Sequence, residues 1–177
     1  MTAAGDDALT PRQREIVATA RDLLAHEGLE ALTLGNVARE LGIKPPSLYK
    51  HFASRRALEA ELVAEGLDAF ARELDAATDL PSLAAGYRRF ALADPARYRL
   101  LNERPLPRDL LPEGLEDRAA APLVRVVPDP DLARAAWATV HGLVALELAG
   151  RFPPDADLDA AWAAAVRALE LAAAAAS

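Results

Sequence analysis

Apolar side chains recur along this chain three and four residues apart, the spacing that collects them on one face of an α-helix. Over residues 11–27, Ile16, Ala20, Leu23 and Leu24 share such a face. Thr10 and Pro11 supply the cap and first-turn proline that open it, and Gly28 closes it. A shorter helix follows. Val37, Ala38 and Leu41 form its apolar face, Thr33 is its N-cap, and Gly42 stands where a helix ends in a residue of positive φ. Ile43 is the apolar plug of the turn. Pro45 and Pro46 are unsuited to a helix interior, so a new helix starts there and runs over about 46–51. Leu48 and Phe52, four apart, point inward, and Ser47, Tyr49, Lys50 and His51 are left mostly outward. Ser54 then caps a long helix over 55–77, with Leu58, Leu62, Leu67, Phe70 and Leu74 on its apolar side.

The rest of the chain carries the same period. Pro81 opens a helix to 93, and Pro95 another to about 102. Residues 103–114, with three prolines and a glycine, read as an irregular loop. A helix over 115–127 ends at Pro128-Asp129-Pro130-Asp131, where Asp131 is the expected cap of a helix to about 150. Pro153-Pro154 breaks again, and Asp157 caps a last, alanine-rich helix to about 175. No strand alternation of useful length occurs. The expectation is an all-α protein: a loose tail over 1–10, a three-helix head over 11–56 and a helical body over 57–177 joined to it by the long helix.

Charge sharpens this division. The formal net charge is −7, with 20 Lys/Arg against 27 Asp/Glu. Residues 1–60 hold eight of each and are neutral; the remainder, with twelve bases and nineteen acids, carries the whole excess. Within 44–56 stand Lys44, Lys50, Arg55 and Arg56 and no acid. DNA binding needs a local basic footprint of this kind rather than a basic protein, and an acidic body turns the head toward the duplex. No apolar run approaches the ~18 residues of a membrane span. The acidic start, Met-Thr-Ala-Ala-Gly-Asp-Asp, lacks the basic opening of a signal peptide, and there is no cysteine. A cytoplasmic location without membrane contact is expected.

A short helix, a glycine turn and a second short helix with an outward basic cluster form the layout of a helix-turn-helix, which lays one exposed helix in the major groove of DNA. Here the chain resembles the TetR/AcrR family of transcriptional regulators. Leu-Tyr-Lys-His-Phe at 48–52, followed by Ala-Ser-Arg-Arg-Ala-Leu, is similar to that family's recognition-helix signature. Leu-Thr-Leu-Gly-Asn-Val-Ala-Arg-Glu-Leu-Gly-Ile at 32–43 is similar to its preceding helix and turn. The likeness covers about residues 11–60. A weaker one lies at Trp137-Ala-Thr-Val-His141-Gly142, which resembles the Trp-His-Gly element of one class of TetR-type C-terminal domain. Lys44 and Arg56 depart from the residues common there, a small hydroxyl and an acid, and both changes add positive charge.

Candidate DNA contacts are Thr33, Lys44, Pro45, Ser47, Tyr49, Lys50, His51, Arg55 and Arg56. Ser47 and Lys50 are placed for base edges. Tyr49 and His51 suit phosphate oxygens or, alternatively, helix packing, and Thr33 stands at a helix N-terminus that also suits phosphate. Phe70, Tyr87, Phe90, Tyr98 and Trp137 fall on separate helices of the body, where they are either ordinary core or the lining of the effector pocket that the resemblance implies. His141, four residues after Trp137, is either a satisfied interior histidine or a polar ligand contact. The resemblance implies a homodimer through the last two large helices. Val140, Val144, Leu148, Leu158, Trp162, Val166 and Leu169 offer apolar stripes for it, shared with the protomer's own core.

An enzyme is not expected. His26, His51 and His141 are scattered, and phosphate-loop, dinucleotide and nucleophile-elbow motifs are absent. No metal or cofactor is expected either. The expectation is a ligand-responsive regulator, a repressor that binds a near-palindromic operator as a homodimer and is released by a small organic effector. The alternative is a helical interaction protein that kept the head and lost specific DNA binding.

Overall fold

A computed structural model of the protein describes residues 9–176; residues 1–8 of the expected tail lie outside the described residues. Among the described residues the chain forms α1 (Pro11–Glu27), α2 (Leu34–Glu40), α3 (Pro45–Leu48), α4 (Arg55–Leu74), α5 (Leu80–Ala93), α6 (Pro95–Asn102), α7 (Leu115–Val126), α8 (Pro130–Leu148) and α9 (Leu158–Ala176), with short 3-10 turns at Leu29–Ala31 and Arg108–Leu110 and no strand.

Most helices start where a short polar side chain accepts an otherwise orphaned amide. Thr10 and Gln13 form a capping box at α1. Thr33 Oγ1 accepts from the Asn36 amide at 3.1 Å, Ser54 Oγ from Ala57 at 3.1 Å, and Asp157 Oδ1 from Ala160 at 2.9 Å. At α8 the expected cap is corrected. Asp129, not Asp131, accepts from the amides of Asp131 at 3.1 Å and Leu132 at 2.7 Å, because Pro130 takes the first helical position. The long helix ends at Leu74, three residues short of expectation. Between α2 and α3 the chain turns at Gly42, whose φ of 64° favours glycine.

Two apolar cores result. In the head, Ile16, Leu32, Leu48 and Leu58 are buried to within 1% of full burial, each contributing ~1.5–3 kcal/mol of transfer free energy. The body core gathers Leu74, Leu83, Tyr87, Phe90, Tyr98, Val144, Trp162 and Val166. Two helices belong to both. α4 gives Leu58 and Leu62 to the head and Leu74 to the body; α6 gives Leu100 to the head and Tyr98 to the body. α6 sits close on α4 because Gly66 has no side chain: a Cβ there would stand 3.0 Å from Leu101 Cδ2. At the far side, Arg88 of α5 pairs with Glu147 of α8 (Nη2–Oε1 2.7 Å) and Asp159 of α9 (Nη1–Oδ1 2.6 Å). Its guanidinium also lies 5.4 Å from the centre of the Trp162 ring, whose indole donates to Glu147 at 2.9 Å.

Candidate nucleic-acid interface and interior cavity

α3 is short, and the head core holds it in place. Leu48 is fully buried and Phe52 is 4% exposed, and the amides of His51 and Phe52 both donate to the Leu48 carbonyl, at 2.8 and 2.9 Å. That anchoring leaves Lys44, Pro45, Ser47, Tyr49 and Lys50 exposed together along one edge of the head. Tyr49 is 57% exposed, so more than half of its surface faces solvent. His51 is half-buried, and its carbonyl accepts from Gln13 Nε2 at 3.3 Å. Thr33 is half-buried at the start of α2.

The two arginines at the start of α4 are engaged differently from the lysines. Arg55 donates through Nε to Glu59 at 2.7 Å and through Nη2 to the Leu29 carbonyl at 3.3 Å, bracing the head internally. Arg56 forms a two-pronged pair with Asp109 of the 103–114 segment, with Nη1 donating to Oδ2 at 2.7 Å and Nη2 to Oδ1. The hydrogen bond and the charge of each partner push Arg56 above its ordinary value and hold Asp109 below the usual carboxylate range. From the same segment Arg104 reaches Glu30 at 2.9 Å and Glu59 at 3.2 Å. Residues 103–114 therefore strap the body to the head through two sets of ion pairs.

The body encloses a cavity of about 440 Å³, partly open to solvent. Five expected aromatics line it: Phe70, Tyr87, Phe90, Tyr98 and Trp137. Phe70 stands edge-on to Tyr87 (centroids 5.5 Å apart) and to Phe90 (5.1 Å). His141 is not among the lining residues. It lies behind Tyr98, whose hydroxyl is 2.6 Å from His141 Nδ1, and the Tyr87 hydroxyl is 3.2 Å from that of Tyr98. Burial is the main cause that pushes both phenols above their ordinary value; at Tyr87, hydrogen bonds with Tyr98 and Trp137 offset part of the effect.

Residues 16–62 match the family described as bacterial regulatory proteins, tetR family, and residues 80–169 match the Tetracyclin repressor-like C-terminal domain. The chain belongs to the TetR family. It is a DNA-binding transcriptional regulator, a class without enzymatic activity. An uncharacterized HTH-type transcriptional regulator of Mycobacterium tuberculosis, Rv0681, is 33% identical over 166 residues, which cover 85% of this chain and 76% of the relative. A TetR variant from Acinetobacter baumannii AYE, solved in complex with minocycline, superposes with a TM-score of 0.61 at 26% identity, over 87% of this chain and 91% of that one. A structure described as a possible TetR family regulator from Streptomyces coelicolor A3(2) shares the fold with a TM-score of 0.71 at 20% identity, over 93% and 100% of the two chains. Among the described residues no helix is long and apolar enough to cross a membrane.

In this TetR-family chain, the residues expected to be shared between a dimer interface and the protomer's own core divide in two. Val140, Val144, Trp162, Val166 and Leu169 are at most 8% exposed in the single protomer, because they pack into its own core. Leu148 and Leu158 are half-buried. The outward faces of α8 and α9 instead carry Ala135, Ala138, Ala145 and Leu146, and Ala160, Ala164, Ala168 and Leu171, with Leu171 73% exposed. Leu106, Arg108, Asn102, Glu116 and Asp117, absent from the expected lining, border the cavity. Four of these five fall on the irregular segment or on the first turn that follows it, where no periodicity marks an inward face.

Proposed function

We propose that this TetR-family regulator is a repressor, that it binds a near-palindromic operator as a homodimer, and that a small organic molecule in the body cavity releases it. The observation that carries the reading is a cavity lined by aromatic side chains and bordered by the elements that reach the head. α4 and α6 contribute to both cores, and the 103–114 segment lines the cavity with Leu106 and Arg108 while holding Arg56 and Glu30 through Asp109 and Arg104. A ligand that favours a different placement of these elements shifts the head, and coupling of this kind is about 1–3 kcal/mol and reciprocal.

In the head, Lys44 and Lys50 face the phosphate backbone, and Ser47 and Lys50 face base edges, with Tyr49 beside them. Pro45 sets the start of the recognition helix, while Thr33 and His51 flank it. Arg55 and Arg56, at the start of the next helix, add positive charge beside it, Arg55 from a position tied to Glu59 and the Leu29 carbonyl. The alanine faces of α8 and α9 let a second copy approach closely, as four-helix packing requires, placing two recognition helices about 34 Å apart in successive major grooves.

The deciding experiment selects genomic fragments with the purified protein and tests them by mobility shift. A retained fragment with two related half-sites, bound by a dimer, is the expected result. Binding without sequence preference would leave only a helical interaction protein.

A further inference from the structure

The proposed effector cavity has a chemical bias. Its charged lining residues are Arg108, Glu116 and Asp117. Arg108 and Glu116 neutralise each other at 3.0 Å (Nε–Oε2), and the Arg108 side chain is 70% exposed. Asp117 is also exposed, and Glu116 is half-buried but turned to Arg108, so none of the three brings a free charge into the interior. Among the described residues no charged side chain is buried, and no buried side-chain nitrogen or oxygen lacks a partner. An anion placed inside would meet nothing that compensates its lost hydration, and a cation would meet only ring faces, whose attraction is smaller than the cost of desolvating it. The two phenols do not change this, because their burial keeps them protonated.

The phenols also differ in what they can offer. Tyr98 is held to His141 at 2.6 Å, at the short end for a hydroxyl hydrogen bond. Its contact with Tyr87 is 3.2 Å, beyond the usual O–H···O range. Tyr98 is therefore committed to His141. The Tyr87 oxygen can only accept from the Trp137 indole, which leaves the Tyr87 O–H proton to donate into the cavity. His141 acts through Tyr98 as a positioning residue and does not meet the ligand.

From this geometry we infer that the cavity takes an uncharged, largely apolar ring compound whose single hydrogen-bonding group meets the Tyr87 hydroxyl. The inference rests on the effector role proposed above for the cavity. It separates the two tyrosines: Tyr87 selects the ligand's polar atom, and Tyr98 with His141 holds the wall.

The test uses four probes on one ring system, titrated by calorimetry into the full chain: 2-acetylnaphthalene, 2-ethylnaphthalene, 2-naphthoate and 2-naphthylmethylammonium. The ketone is expected to bind about three- to tenfold more tightly than the hydrocarbon, the worth of one neutral hydrogen bond. Both ions are expected to bind at least about a hundredfold more weakly than the ketone. Tyr87→Phe should erase the ketone's advantage and leave the hydrocarbon's affinity unchanged. Ala136→Phe, which fills the cavity from a wall residue 2% exposed, should abolish binding of all the probes, with helix content by circular dichroism as the folding check. If either ion binds as tightly as the ketone and loses that binding with Ala136→Phe, the assignment of ligand class falls and the cavity reading stands. If Tyr87→Phe retains the ketone's advantage, the role of Tyr87 falls. If no probe binds the unaltered chain, the effector reading and this inference fall together.

Discussion

Tyr98 and Leu100, two residues apart on α6, are buried in different cores: the phenol lines the body cavity and the leucine packs with Leu24, Leu58 and Leu62 of the head. A helix of eight residues has no room to bend between them, so its displacement at the cavity moves the head packing too. Leu100→Ala should therefore act on both domains. It should lower the unfolding free energy by about 2–5 kcal/mol, as leucine truncation in a packed core does. Urea unfolding followed by circular dichroism checks this. A loss below about 1 kcal/mol would mean that α6 is not anchored in the head.

DNA affinity should fall steeply with salt. Lys44→Ala and Lys50→Ala should each reduce the slope of log K against log salt by about 0.9 for every phosphate contact removed. Ser47→Ala should leave the slope unchanged. It should relax preference among operator variants by about 1–3 kcal/mol if Ser47 meets a base edge. Fluorescence anisotropy at several salt concentrations separates the two behaviours.

Asp109→Asn should tighten binding to duplex DNA and steepen the salt slope by about 0.9, because it frees Arg56 for a phosphate. Arg56→Ala combined with Asp109→Asn should lose that gain. Since the Asp109 value in the folded chain lies below its unfolded one, the pair is fully formed above the ordinary carboxylate range. Its contribution is lost as pH falls through the depressed folded value. Unaltered anisotropy in Asp109→Asn would show that the carboxylate does not compete with DNA.

The proposed dimer should become a monomer at micromolar concentration in Ala138→Glu or Leu171→Glu, measured by light scattering, because each places a charge on an outward apolar face of α8 or α9. A retained dimer in both variants would move the interface elsewhere.

What the sequence revealed follows from the range of each interaction. Thr10, Thr33, Ser54 and Asp157 cap helices through contacts three residues long, so they are readable from neighbours. The head was legible because Leu48 and Phe52 stand out against polar residues. α8 and α9 were not, because alanine fills both their inner and outer faces and period alone cannot orient them. Trp162 shows the difficulty. It looks like an interface anchor, yet its indole N–H donates to Glu147 and Arg88 covers its ring, and the side chain is buried in the protomer. The pairs Arg56–Asp109 and Arg104–Glu30 span 53 and 74 residues and leave no local trace.

Arg88 has a further consequence. By gripping Glu147 and Asp159 at once, it ties α8 and α9 together within a single chain. In the homodimer proposed above, a surface made from two helices already locked to each other would meet its copy preorganised, and association would cost chiefly rigid-body freedom with little side-chain ordering. Assembly on such a surface is a docking step rather than a folding step, so newly made chains can pair as fast as collision and orientation allow.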